Sequence, residues 1–253
     1  MDTPVAEGTV KIDALGLTFK DLNARLREVV ARGAQEIELY NVHGQRYIGT
    51  DLDREVAIHI HGVPGNDLGA FMKGPRLTVH GNAQDGCGNT MDEGEIVIHG
   101  HAGDIVGLAA RGGRIFVREG VGYRAGIHMK EYREKKPVVV IGGTAQDFLG
   151  EYMAGGVMVV LGLDLGPGES HRARFIGTGM HGGVIYLRGE VQSHQLGKEV
   201  GTAELDEKDQ AQLKALVEQF ASYFGDKSER IMKGRFLKLF PRYLRPYGRL
   251  YTY

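Results

Sequence analysis

Three histidines stand nineteen residues apart, at His61, His80 and His99, each directly before a glycine, with Arg118 next in the series. A row of imidazoles is the residue type from which metal sites are built. Acidic residues recur at Asp85, Asp92, Glu93, Asp104, Asp147 and Glu151, and paired carboxylates are what glycoside chemistry needs. Cys87 is the single thiol, set between two glycines in Gly86-Cys-Gly88, and Gly177-Thr-Gly179 repeats that spacing. From Arg230 to Tyr253 seven Lys or Arg, without an acidic residue, alternate with Phe236, Phe240, Tyr243, Tyr247, Tyr251 and Tyr253.

The interval that joins the histidines also organises the glycines. Steps of nineteen connect Gly62, Gly81 and Gly100, then Gly69, Gly88, Gly107 and Gly126, and Gly94 with Gly113. A period of that size is the mark of a repeat architecture. Four residues before each closing position stand Ile58, Leu77, Ile96, Ile115, Val139, Met158 and Ile185; two before it stand Ile60, Val79, Ile98, Val117, Ile141, Val160 and Leu187. All fourteen are apolar and each pair is split by one residue, the pattern of strands with one buried face. Between them His59, Thr78, Val97, Phe116, Val140, Val159 and Tyr186 form a mixed set, read as the opposite face, with Thr78 expected to be exposed. Gly69, Gly88, Gly107, Gly126, Gly150 and Gly177 mark one corner, where left-handed backbone or crowding is expected. Hexapeptide helices repeat in multiples of six and do not fit nineteen. The fold expected is an all-β solenoid, a right-handed parallel β-helix of about seven coils with N- and C-terminal helices.

Against that fold the candidate chemistry thins out. Parallel coils set like residues at strand spacing along the whole rod, so stacked histidines follow from the repeat, and no metal site is assigned. The acidic residues fall at different corners instead of one groove. The Gly-x-Gly groups lack the βαβ unit of a dinucleotide fingerprint, and Cys87 has neither a terminal amine nor a histidine beside it in sequence. No catalytic, cofactor-binding or metal residue is assigned.

The glycine ladder, with Gly-Ile-His-Met-Lys-Glu-Tyr at 126–132, Asp-Phe-Leu-Gly-Glu-Tyr-Met-Ala-Gly-Gly at 147–156 and Gly-Thr-Gly-Met-His-Gly-Gly at 177–183, resembles the C-terminal GXGXG domain of the glutamate synthase large subunit, in the form where it is a separate subunit. The likeness covers residues 45–200. It implies a non-catalytic structural subunit of a glutamate-synthase-like complex that makes glutamate from glutamine and 2-oxoglutarate. The partners implied are a glutamine amidotransferase subunit and a flavin-containing synthase subunit that carries FMN and an iron–sulfur cluster, with a ferredoxin-like electron donor. None of these cofactors is expected in this chain. Two alternatives stand beside it: the β-helical subunit of a formylmethanofuran-dehydrogenase-type complex, which shares the ladder, and a stand-alone carbohydrate-acting β-helix enzyme.

Three segments are expected: an N-terminal strand and capping helix (1–45), the glycine-repeat β-helix (46–200), and a C-terminal helix with a basic aromatic tail (201–253). Thr18 and Asp21 open a helix with apolar Phe19, Leu22, Leu26, Val29 and Val30, stopped by Gly33, which should cap the solenoid. Glu36–Tyr40 reads as the first strand. Insertions at 127–136 and 163–176 break the period and read as loops. Asp206 and Asp209 cap a second helix with Leu213, Leu216, Val217, Phe220 and Phe224 on one face. Removing everything after Gly225 is expected to leave the solenoid folded, the tail serving contact with a protein partner in preference to nucleic acid, with packing of part of it on its own solenoid as the alternative.

With 31 basic and 32 acidic residues in 253, no global charge favours nucleic acid or anionic membrane. One cysteine excludes a disulfide framework. No apolar run reaches the roughly 18 residues that span a bilayer, and Met1–Glu7 lacks the pattern of a signal peptide. The expected location is the cytoplasm.

Overall fold

The fold is described from a computed structural model, for residues 8–243; Met1–Glu7 and, in the tail, Tyr247, Tyr251 and Tyr253 lie outside the described residues. Nine strands stack in chain order: β1 (Val10–Asp13), β2 (Glu36–His43), β3 (Ala57–Val63), β4 (Arg76–Val79), β5 (Glu95–Ile98), β6 (Arg114–Val117), β7 (Val138–Ile141), β8 (Ala154–Val160) and β9 (Gly182–Arg188). Each pairs in parallel with the next. The register aligns Ile58, Leu77, Ile96, Ile115, Val139, Met158 and Ile185. All fourteen residues of the two apolar columns are buried in one continuous core. The solenoid makes about six turns, slightly fewer than the seven coils expected. The sheet begins one strand before Glu36: β1 pairs with β2 through Ile12 and Leu39, and both are buried.

The other sides of each coil are turns whose backbone bonds run between coils. The N–H of Gly88, Gly107, Gly126, Gly150 and Gly177 each donates, at 2.7–2.8 Å, to the carbonyl of Leu68, Cys87, Val106, Ala125 and Leu149 in the preceding coil. At Gly150 the backbone is left-handed (φ +67°), and a Cβ would stand 2.7 Å from Ile185 Cδ1. Glycine is favoured there on both counts.

Helix α1 (Phe19–Ala31) is N-capped by Thr18, whose hydroxyl accepts from Asp21 N. Its Leu22, Leu26 and Val30 enter the solenoid core, and Asn23 Nδ2 donates to the Arg46 carbonyl at 2.8 Å. Helix α2 (Glu207–Phe224) carries the expected Asp206/Asp209 capping box and ends at left-handed Gly225. It lies on the outer face of the sheet, where Leu213, Val217 and Phe220 bury Phe116, Val140, Val159 and Tyr186 in a second core. The set read as a mixed outer face is therefore covered from Val97 onward. Thr78, expected to be exposed, is buried.

The tail also departs from expectation. After α3 (Ser228–Met232), β11 (Phe236–Pro241) runs antiparallel between β9 and β10 (Val200–Ala203) and completes an eleven-stranded sheet. Leu239 belongs to the main core and Phe236 to the second. A chain ending at Gly225 would lose both and leave β9 unpaired on that side. Part of the tail is thus core, because its Phe236 and Leu239 side chains are worth more buried than its charges are worth as a free arm.

Candidate functional site

Two surfaces of the solenoid collect side chains capable of recognition. The first follows the glycine corner. Two residues before and after each corner glycine the backbone is again left-handed, at Arg124 and His128 around Gly126, at Phe148 and Tyr152 around Gly150, and at Phe175 before Gly177. Such a conformation in bulky residues costs on the order of 1–3 kcal/mol each and persists only where the surroundings fix it. The coil-to-coil bonds supply that fixing. Phe71, Tyr152 and Phe175 stand exposed on this ladder. Phe148 stacks on Phe175 with ring centres 4.9 Å apart, His128 on Tyr152 at 5.4 Å, and the Arg124 guanidinium lies 4.5 Å from the Phe148 ring. Arg124 pairs with Glu151 at 2.9 Å, and Arg174 with Asp147 at 2.9 Å. The Arg174 bonds hold the Asp147 carboxyl below its usual range. The sequence carries this surface as aromatic residues two places from a corner glycine, a spacing that the glycine interval alone does not bring out.

The second surface is the uncovered end of the outer sheet face. His61, His80 and His99 do form a stack, with ring centres 4.6 and 5.4 Å apart, and Tyr40 extends it at 4.7 Å from His61. The row ends where α2 ends, with Phe224 edge-on to His99 at 5.2 Å. Burial, followed by the neighbouring imidazoles, lowers the His80 pKa; burial, followed by Arg118, lowers that of His99. His59 joins from the adjacent column, with Nδ1 3.3 Å from His80 Nε2. Glu38 contacts His61 Nε2, and Glu36 Oε1 lies 4.0 Å from His59 Nε2. Sequence reasoning passed over both glutamates.

The acidic residues at the turns are structural. Asp85 Oδ1 accepts from Asp104 N and Asp104 Oδ1 from Tyr123 N, both at 2.8 Å, so each carboxylate ties its coil to the next. Asp92 and Glu93 both hold Lys135, at 2.6 Å, which anchors the first insertion. The second insertion is held by buried His171, whose Nε2 pairs with the Arg188 carbonyl at 2.8 Å. Cys87 is fully buried, and burial pushes its thiol up to about 12; its Sγ–H donates to the Gln84 carbonyl at 3.3 Å. A thiol so protonated is a poor nucleophile. A buried polar cluster joins the C-terminal elements to the sheet: Asp209 accepts from Tyr186 Oη and from Lys238 Nζ, each at 2.7 Å.

Comparison with known proteins agrees with the glycine corners. The profile described as the GXGXG motif matches residues 21–246, from α1 through β11. A protein of Methanocaldococcus jannaschii, named "Uncharacterized protein MJ1350", is 45% identical over 251 residues, which cover 96% of each chain. Among the described residues no helix is long and apolar enough to cross a membrane. A match that runs over nearly all of the folded chain makes this chain a member of the GXGXG family, that of the C-terminal domain of the glutamate synthase large subunit.

Proposed function

We propose that the chain is a non-catalytic structural subunit of a cytoplasmic glutamate-synthase-like complex. It holds a glutamine amidotransferase subunit against a synthase subunit that carries FMN and an iron–sulfur cluster and receives electrons from a ferredoxin-like donor. The observation that carries this reading is the corner ladder. It sets Phe71, Tyr152 and Phe175 in the solvent on backbone fixed by the coils, and exposed aromatics with arginine are the composition of a protein contact. Family membership supplies the kind of assembly. The candidate acids Asp85, Asp104 and Asp92 are engaged in tying coils and the first insertion together, and Cys87 is buried within its own coil, in keeping with a role in positioning.

Reconstitution tests the proposal. The chain should co-elute with the amidotransferase and flavoprotein subunits, and omitting it should uncouple glutamine hydrolysis from glutamate formation. Tyr152→Asp with Phe175→Asp should abolish co-elution while the isolated chain still melts cooperatively, lowered only by the loss of two surface ring stacks. Stoichiometric flavin in the isolated chain, or a turnover of its own lost on Cys87→Ser, would make it an enzyme instead. Co-elution with a molybdenum or tungsten protein would assign it to the formylmethanofuran-dehydrogenase type.

A further inference from the structure

We propose that Glu36, Glu38 and His59 bind a divalent first-row transition cation, with Thr9, His61 and His80 orienting the three ligands. A carboxylate oxygen of each glutamate and a ring nitrogen of His59 lie within 4.8 Å of one another. Ligands at about 2.0–2.2 Å from one ion stand roughly 3.3 Å apart, and the difference is a side-chain rotation for Glu36, half of whose side chain is exposed. The backbone needs no change, because Glu38 and His59 are register partners on adjacent parallel strands and Glu36 shares the face of Glu38.

The surroundings match the supports that ligating groups require. Thr9 Oγ1 donates to Glu36 Oε2 at 3.1 Å, His61 Nε2 contacts Glu38 Oε2, and His59 Nδ1 faces His80 Nε2 at 3.3 Å. With His59 Nδ1–H donating to His80, its Nε2 turns a lone pair toward the two carboxylates, so three acceptors converge where a cation fits. Mixed imidazole and carboxylate donors without sulfur suit zinc, iron(II), cobalt or manganese better than calcium or magnesium, which take oxygen alone. The repeat explains the stacked histidines but not this convergence. Glu38 precedes His59 by twenty-one residues instead of nineteen, and the register shifts between Leu39 and Val42.

Cobalt(II) is the probe, titrated into the full chain and followed by its visible absorption and by equilibrium dialysis. One Co2+ per chain should bind, be displaced by Zn2+, and raise the melting temperature. Glu38→Gln and His59→Ala should each weaken binding by more than about 100-fold and His61→Ala by about 10–100-fold, while His128→Ala on the corner ladder should bind as the native chain does. Glu36→Gln, at a half-exposed position, keeps the test sound should another variant misfold. Absence of saturable one-to-one binding, or native affinity in both Glu36→Gln and His59→Ala, would overturn the proposal.

Discussion

The outer face of one sheet has two halves that differ in nearly everything except backbone. From β5 to β9 the outward column is Val97, Phe116, Val140, Val159 and Tyr186, and α2 covers it. From β2 to β4 the same column is Glu38, His59 and Thr78, and the helix stops short of it. The parallel ladder is continuous across the boundary, so the hydrogen-bond frame does not decide which half is covered. The side chains do: five apolar residues in line repay a helix that packs on them, whereas a row of imidazoles and carboxylates would be desolvated beneath one. A solenoid can therefore carry a core and a polar surface on one face, divided at a single coil.

Both halves rest on one frame of coils, and its corner glycines are the most sensitive positions. Gly150→Val puts a branched side chain into left-handed backbone against Ile185; we expect a loss of more than about 4 kcal/mol, read as an unfolded or aggregated chain in a thermal melt. Phe220→Ala, at a fully buried position under the covered half, should cost about 3–5 kcal/mol in denaturant unfolding. Asp209→Ala removes the carboxylate partner of Lys238 and the capping-box bond to Asp206 N, while Tyr186 keeps Gln212 as an acceptor, and should cost about 1–3 kcal/mol; rescue by Asp209→Asn, which keeps one acceptor, separates hydrogen bonding from packing.

A smaller effect comes from pH. Burial, partly offset by the Arg188 carbonyl, lowers the His171 pKa below its ordinary 6.5, so the unfolded chain takes up a proton before the folded one does. Stability should be full above pH 6.5 and fall as pH drops through 6.5 toward the folded-state value, and His171→Gln should flatten that slope in melts from pH 7.5 to 5. Smallest of all, Thr78→Val exchanges a buried hydroxyl for a methyl at the boundary of the two halves and should shift stability by about 1 kcal/mol or less.

What the sequence made legible follows from where the period holds. The inner columns and the corner glycines recur at nineteen, and their register was readable residue by residue. The change of the outer column from His59 and Thr78 to Val97 and Phe116 was present in the same alignment, yet a mixed column reads as a solvent face unless a covering element is placed on it. Glu36 and Glu38 lay beyond reach because β2 precedes the regular repeat and carries a bulge near left-handed Asn41, so counting by nineteen does not bring them to His59. Strand β11 was hidden for another reason. Its partners β9 and β10 are not set by any interval, and the lysines and arginines around Phe236 and Leu239 gave the segment the composition of a free arm.

That antiparallel strand has a consequence for size. A stack of identical rungs has no inherent length, and its last rung offers an edge on which another rung, or another molecule, could grow. Among the described residues the growth direction is reversed at one end by β11 and finished with β10, a strand of four residues; the opposite end begins with β1, also of four residues. The molecule thus carries its own terminators, one for each direction, and its length is written in the two flanks and not in the rungs.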